Sequence, residues 1–295
     1  MRVLVTNDDG VHAPGLAALT RALARWAEER QEHEIMVVAP LANHSGASAA
    51  VGTVYEREAV SYRRVRIDGA EGVPTYGVDA SPALAVLIAG LGGFGPRPDV
   101  VVSGINLGVN VGRSVLYSGT IGATLAGAQL GLRGLAVSLR AGFPPEQWST
   151  ASTIAVALLP TLCEAPPRTV LNLNVPSVPM EELRGLRRAR ISTSGIVKSA
   201  TISVGGAGGA GGAGGAGEPS GATPADEGEV RMTLGTAVPT LGRLDESEDP
   251  EDDAALVAAG YAAITPIVGV QEDMAPGTDE IVRTALATVH RVLER

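Results

Sequence analysis

The apolar positions of this chain fall into short runs separated by stretches with helical spacing. Val3-Leu4-Val5 is a compact apolar run that stops at Asn7-Asp8-Asp9-Gly10, the pattern of a buried strand ending in a turn. Leu16, Leu19, Leu23 and Trp26 follow at spacings of three, four and three residues, which places them on one helix face. Ile35-Met36-Val37-Val38-Ala39 is a second buried strand, closed by Pro40. Strand, helix, strand at this pace predicts a right-handed βαβ unit. The pattern repeats downstream: 99–102, 136–139 and 170–173 predict further strands, and 120–130 and 151–163 predict Ala-rich helices. The expected fold is α/β, a Rossmann-like three-layer α/β/α arrangement around a mostly parallel sheet.

Beyond residue 185 the pattern changes. Arg187, Arg188, Arg190 and the alternating stretch from Ile196 to Val204 predict extended structure that runs into a Gly-Gly-Ala repeat over 205–217. The repeat lacks proline and is too short for a collagen helix, so it reads as a flexible loop, with Val230 to Leu234 as the returning strand. The whole chain, 1–295, is expected to be one domain: an α/β core over 1–184, an extended hairpin over 185–250 with a Gly-rich tip at 205–229, and a C-terminal segment over 251–295. In that segment Thr278 and Asp279 open a helix carrying Val282, Leu286, Val289 and Leu293 on one face. Glu246, Glu248, Asp249, Glu251, Asp252 and Asp253 read as a solvated acidic surface.

Composition narrows the partners. Hydrophobic residues make up 45% of the chain and aromatics only 3%, so Val, Leu, Ile and Ala must build the core. That suits a buried parallel sheet under Ala-rich helices. A formal net charge of -9 lacks the basic footprint of a nucleic-acid binder, and no DNA partner is expected. The single cysteine, Cys163, lies in an apolar stretch; it excludes an intrachain disulfide and a Cys-rich zinc site. Asp8 and Asp9 interrupt any leader-like apolar run, and nowhere do ~18 uninterrupted apolar residues occur. No membrane partner and a cytoplasmic location are the expectations.

In an open parallel sheet, ligands bind beyond the carboxyl ends of the strands. The polar residues there are Asp8 and Asp9 after the first strand, Asn43, His44 and Ser45 after the second, and Ser103, Asn106 and Asn110 after the strand at 99–102. Carboxylate, amide and hydroxyl oxygens suit a hard divalent cation such as Mg²⁺ or Mn²⁺ and suit zinc poorly. Adjacent strand residues point to opposite faces, so both aspartates reach one ion only where the backbone turns, and Gly10 makes such a turn easy. On residue types alone, a plain turn and a metal site account for the pair equally well. Tyr117-Ser118-Gly119-Thr120 precedes the 120–130 helix, where free N–H groups, hydroxyls and the helix dipole would hold a phosphate. Taken alone, that stretch is also an ordinary helix cap. His12 and His44 lie near the aspartates in sequence, a thin warrant for an acid–base role.

At this point the chain resembles a known family, the SurE (survival protein E) nucleotidases. MRVLVTNDDGVHAPG, Met1 to Gly15, is similar to that family's opening signature. Val38-Ala39-Pro40 with Ser45 to Ser48 resembles its second motif. Val102 to Asn106 with Gly108, Asn110 and Gly112 resembles its third. Tyr117 to Thr120, Leu173-Asn174-Val175-Pro176, and Gly260-Tyr261 with Ile264-Thr265-Pro266 are further matches, so the resemblance spans nearly the whole chain. It implies one divalent cation per subunit held by Asp8, Asp9, Ser45 and Asn106; phosphate is then expected at Asn110 and at the helix end, Ser118, Gly119 and Thr120. It implies hydrolysis of nucleoside 5′- and 3′-monophosphates, in some members also of short polyphosphate; Asp8 and Asp9 are then the expected catalytic residues, Asp8 as acid/base or nucleophile and Asp9 as cation ligand. It further implies a homodimer or homotetramer joined through the hairpin arm. Two stretches depart from the family pattern, Val78-Asp79-Ala80-Ser81-Pro82 and the Gly-Gly-Ala tract.

Two other readings compete. An aspartyl-phosphate phosphatase places a nucleophilic Asp after the first strand, but usually with a second Asp two positions on rather than adjacent. A non-catalytic receiver or nucleotide sensor shares the sheet and predicts metal binding without phosphate release. Dinucleotide binding is disfavoured, since no Gly-x-Gly-x-x-Gly follows the first strand.

Overall fold

The computed structural model describes residues 1–30, 33–52, 59–142, 145–193, 197–205, 229–236, 249–271, 278 and 280–286. The amino-terminal half alternates strands and helices: β1 (Arg2–Thr6), α1 (Pro14–Arg30), β2 (Glu34–Pro40), β3 (Tyr62–Arg64), β4 (Thr75–Val78), α2 (Pro82–Gly90) and β5 (Val100–Leu107). A 3₁₀ turn (Gly112–Tyr117) then leads into α3 (Gly119–Gln129), β6 (Arg133–Leu139), α4 (Trp148–Glu164) and β7 (Val170–Val175). The rest comprises β8 (Leu186–Arg188), β9 (Val197–Gly205), β10 (Glu229–Thr236), α5 (Asp253–Ala258) and β11 (Ala262–Ile267).

Nine strands form one sheet in the order β3-β4-β2-β1-β5-β6-β7-β11-β8. From β4 through β7 every pairing is parallel, while β3 and β11 run antiparallel to β4 and β7. The parallel strands are apolar on both faces, as a doubly covered sheet demands. Val3 and Val5 of β1 pack on the α1 and α4 side with Leu16, Leu19, Leu23 and Leu159. Leu4 between them joins Ala83, Leu84, Val86 and Ala123 on the α2 and α3 side. The predicted α1 stripe is the buried one: Leu16, Leu19 and Leu23 are fully buried and Trp26 nearly so.

The departing stretch Val78–Pro82 does defined work. It ends β4 and starts α2: the Ser81 hydroxyl accepts the Leu84 N–H, and Pro82 takes a first-turn position where no N–H is needed. The sequence pattern predicts neither this helix nor β3, β4 and α5.

Among the described residues, the first part of the predicted hairpin segment lies elsewhere. β8 belongs to the main sheet beside β11, and only β9 and β10 form the separate antiparallel pair, with Gly205 opposite Glu229. Leu186–Arg188 joins the sheet because Ala262–Ile264 offers it a parallel edge, and Arg187 is tied back to Glu251. The acidic run is likewise only partly solvated. Asp249 and Glu251 pair with Arg190, whereas Asp252 and Asp253 are buried. Residues 206–228, with most of the Gly-Gly-Ala tract, lie outside the described residues. Residues 278 and 280–286 are helical, with Val282 and Leu286 exposed, and the remainder of the predicted C-terminal helix, including Asp279, Val289 and Leu293, also lies outside them.

Candidate active site

The sheet order fixes where a ligand belongs. From β1 the chain moves outward through β2 and β4 on one side and through β5, β6 and β7 on the other, so β1 and β5 flank the topological switch point. The crevice beyond their carboxyl ends is the ligand position of such a fold. Asp8 and Asp9 follow β1, Asn106 lies at the end of β5, and Ser45 follows β2. A separate cavity of about 530 Å³ opens at the opposite end of the strands, among Arg2, His33, Glu34, Tyr76 and Phe94, and touches none of these residues.

Local chemistry turns the first aspartate into the pocket. The Asn7 amide donates to Gly10 O at 2.9 Å, and Gly10 has φ +102°, a conformation that favours glycine. The chain thus folds back at once after β1, and the Asp8 carboxylate arrives on the amino terminus of α3. The Thr120 hydroxyl donates to Asp8 Oδ1 at 2.7 Å across 112 residues of sequence. Backbone N–H groups of Thr120 and Gly119 add to this hold. Gly119 has to lack a side chain, because a Cβ there would lie 2.8 Å from Asp8 Cβ and 2.9 Å from its Oδ2. Burial raises the Asp8 carboxyl above its ordinary value, and the donors of Thr120 and Gly119 pull against that rise.

Asp9 is less enclosed. Burial pushes its carboxyl up to about 6, the neighbouring Asp8 charge adds to the rise, and the Leu107 N–H counters it. That contact ties Asp9 to the end of β5, beside Asn106. The Asn106 amide nitrogen donates to Gly108 O at 2.6 Å, which leaves Oδ1 as its available acceptor. The loop after β2 is fastened to the same place. The His44 N–H donates to Asp8 O at 2.7 Å, and the Asn43 side chain accepts the Ser45 N–H at 2.7 Å. Ser48, at φ +52°, donates its N–H to Tyr117 O and its hydroxyl to Leu116 O. The structure therefore brings Asp8, Asp9, the Ser45 loop, Asn106 and the start of α3 to one end of the sheet. His12 is exposed there and His44 half-buried.

All four predicted phosphate contacts acquire a different emphasis. The anion on the amino terminus of α3 is Asp8's own carboxylate, which engages Gly119 and Thr120. Ser118 caps α3 by accepting the Ile121 N–H at 3.1 Å, and its O–H remains a donor for another group. Asn110 is built inward: its amide donates to Ser138 Oγ at 2.8 Å, and its carbonyl accepts the Asn172 and Asn174 amides. Sequence reasoning misses Asn172, Asn174 and Ser138 as site-building residues. The signal that marks them is a polar position inside an otherwise apolar strand, and each is fully buried. Asp253 is a further residue of this kind. Burial pushes its carboxyl up to about 6 against the N–H groups of Gly112, Ser192 and Ala254.

The donor set fits a hard divalent cation. Asp9, Asp8, Ser45 and Asn106 offer only oxygen, and no cluster of three or more His, Cys, Asp or Glu exists among the described residues to suggest a softer metal. Two buried oxygens lack a hydrogen-bond partner: Asn7 Oδ1, just after β1, and Ser103 Oγ, on β5 opposite the last residue of β1.

The raised carboxyls set a sign for stability. With the folded value of Asp9 at about 6 and its ordinary value at 3.8, the folded state binds more protons between those limits. Stability of the metal-free protein therefore falls as pH rises through that window, and the loss is complete above it. Asp9→Asn is expected to melt higher than the metal-free parent near neutral pH, with the difference gone by about pH 4. Melting temperature against pH for the two proteins checks this, and a parent that is the more stable at neutral pH contradicts it.

Fold and site together define a doubly wound α/β protein with oxygen-bearing side chains gathered at the switch point. Comparison with known proteins gives the family. The family model described as Survival protein SurE matches residues 3–198. A Cronobacter sakazakii protein named 5'/3'-nucleotidase SurE is 36% identical over 273 residues, 90% of either chain, and the Escherichia coli protein of that name is 35% identical over the same span. The chain belongs to the SurE family. A crystal structure of the SurE protein from Aquifex aeolicus superposes with a TM-score of 0.67 at 23% identity, covering 97% of this chain and 100% of that one. It supports the fold.

Proposed function

We propose that this protein is a divalent-cation-dependent phosphomonoesterase that hydrolyses nucleoside 5′- and 3′-monophosphates to nucleoside and phosphate, with short polyphosphate as a secondary substrate. The observation that carries this reading is the Asp8 carboxylate seated on the amino terminus of α3, beside Asp9 and Asn106 at the switch point. The nucleotidase names of the relatives support the substrate class.

Asp9, Asp8, Ser45 and Asn106 would hold one Mg²⁺ or Mn²⁺. When bound, the cation neutralises phosphate charge and lowers the pKa of water. The remaining work belongs to the chain. The Ser118 hydroxyl, fixed as an α3 cap, donates to a phosphate oxygen and stabilises the charge that develops there. Asp8, oriented as a carboxylate by Thr120 and Gly119, would take the proton released by the attacking water and pass it to the leaving ribose oxygen. The Asn110 clamp keeps the segment from β5 to the 3₁₀ turn in place. No helix among the described residues is long and apolar enough to cross a membrane. The β9–β10 hairpin, separate from the main sheet, is the segment we assign to subunit contact.

A phosphate-release panel tests the substrate class: 5′-AMP, 3′-AMP, 5′-GMP, p-nitrophenyl phosphate and short polyphosphate, each with Mn²⁺. Preferential hydrolysis of the nucleoside monophosphates is expected. Binding of nucleotide without phosphate release from any of them favours the sensor reading and overturns this one.

A further inference from the structure

Asp253 is wholly buried, and the hydrogen bonds of its carboxylate go to Gly112, Ser192 and Ala254, none of them assigned to cation or substrate. Its carboxylate accepts the Gly112 N–H at both oxygens, 3.0 Å to Oδ2 and 3.2 Å to Oδ1. The same Oδ1 accepts the Ser192 N–H at 3.0 Å and the Ala254 N–H at 2.9 Å. Three separate segments thus converge on one side chain: the 3₁₀ turn, the stretch that leads toward the hairpin, and α5.

The turn needs this partner. Gly112 begins it, and the preceding residue, Val111, makes no side-chain cap bond to its N–H groups. Such orphan donors inside a protein cost free energy unless an acceptor reaches them. Asp253 is that acceptor, supplied from 141 residues away. Gly112 adopts φ +56°, and it sits two residues after Asn110, which Ser138, Asn172 and Asn174 fix from β6 and β7. The turn is therefore pinned at its start from two directions. At its other end lies Tyr117, whose carbonyl holds the Ser48 loop, and then Ser118, the cap of α3. Asp252 does a different job on the same helix: it caps α5 by accepting the Ala255 N–H at 2.7 Å.

From this arrangement we infer that Asp253 is a positioning residue for the reaction: through Gly112 it sets the 3₁₀ turn that places Ser118 and the amino end of α3 against Asp8. The inference rests on the phosphomonoesterase reading for its kinetic consequence, but not for its structural one. A misplacement on the order of 1 Å at a reacting group costs about 100-fold in rate. The remote Asp253 is therefore expected to act on kcat while leaving cation affinity, assigned to Asp8, Asp9, Ser45 and Asn106, nearly unchanged.

The test compares Asp253→Asn with Asp252→Ala. Asp253→Asn keeps the shape but turns one acceptor oxygen into a donor. Asp252→Ala removes the α5 cap and leaves the Gly112 bonds intact. Two readouts are taken at a temperature where both variants are folded: amide hydrogen exchange over 112–118, and kcat, KM and half-saturating Mn²⁺ for 5′-AMP. Asp253→Asn is expected to exchange at least tenfold faster over that segment and to lose tenfold or more in kcat, with half-saturating Mn²⁺ within about twofold of the parent. Asp252→Ala should melt lower, yet match the parent in both readouts. Unchanged exchange in Asp253→Asn overturns the inference, as does an Asp252→Ala variant that loses kcat equally. If the parent releases no phosphate from AMP, the phosphomonoesterase reading fails, and the exchange data still decide whether Asp253 holds the turn.

Discussion

Asp8→Asn is expected to lower turnover of 5′-AMP about a thousandfold at saturating Mn²⁺, the size of losing a principal transition-state contact. The side chain sits among donors only: the Thr120 hydroxyl and the N–H groups of Gly119 and Thr120. An amide there sets its own N–H₂ against one of them and removes the group that carries a proton. Asp9→Asn should behave differently. It loses a ligand oxygen at a half-buried position, so the Mn²⁺ needed for half-maximal rate should rise by more than the roughly 10–100-fold that loss of an outer-shell partner costs. Steady-state rates across a Mn²⁺ titration separate the two. Full turnover by Asp8→Asn with the metal saturating removes the role assigned to Asp8.

The second large effect concerns a glycine that bears no chemistry. A Cβ on Gly122 would lie 2.2 Å from Ser48 O, 2.4 Å from Ser48 C and 2.6 Å from Ala49 N. All three are backbone atoms, so no side chain can swing away. Ser48 is itself fixed by Leu116 and Tyr117, so the 45–49 loop has to lift off α3. Gly122→Ala is expected to destabilise the protein by about 1–3 kcal/mol, the range for overpacking. It should also raise the Mn²⁺ requirement, because Ser45 rides on that loop. Gly72→Ala, where a Cβ meets nothing within 4 Å, is the control and should match the parent. Thermal melts and Mn²⁺ titrations measure both. A Gly122→Ala protein with parental stability and metal response contradicts the packing described.

Much of this fold is legible in the sequence because periodicity carries it. Val3-Leu4-Val5, Ile35–Ala39 and the Leu16, Leu19, Leu23, Trp26 stripe are each explained by burial on a doubly covered sheet or on one helix face. The end-of-strand rule then gathers Asp8, Asp9, Asn43, His44, Ser45, Ser103, Asn106 and Asn110, and the family resemblance selects Asp8, Asp9, Ser45 and Asn106 among them. What stays hidden depends on long-range partners. Asp252 and Asp253 look like more of a solvated acidic run until the fold delivers the N–H groups of Ala255, Gly112 and Ser192 to them. Asn172 and Asn174 look like polar interruptions of a strand until Asn110 arrives beside them. The Gly119–Thr120 helix end reads as an open anion site, since nothing local reveals that Asp8 already engages it. β8 reads as part of the hairpin because its parallel partner, β11, lies far along the chain.

The central claim is that one cation, held by Asp8, Asp9, Ser45 and Asn106, is required for phosphate release from nucleoside monophosphates. The most direct measurement is the rate of phosphate release from 5′-AMP by the chelator-treated protein, before and after Mn²⁺ or Mg²⁺ is restored. Activity that disappears on chelation and returns with the cation is the predicted result. Undiminished hydrolysis in chelator would contradict it.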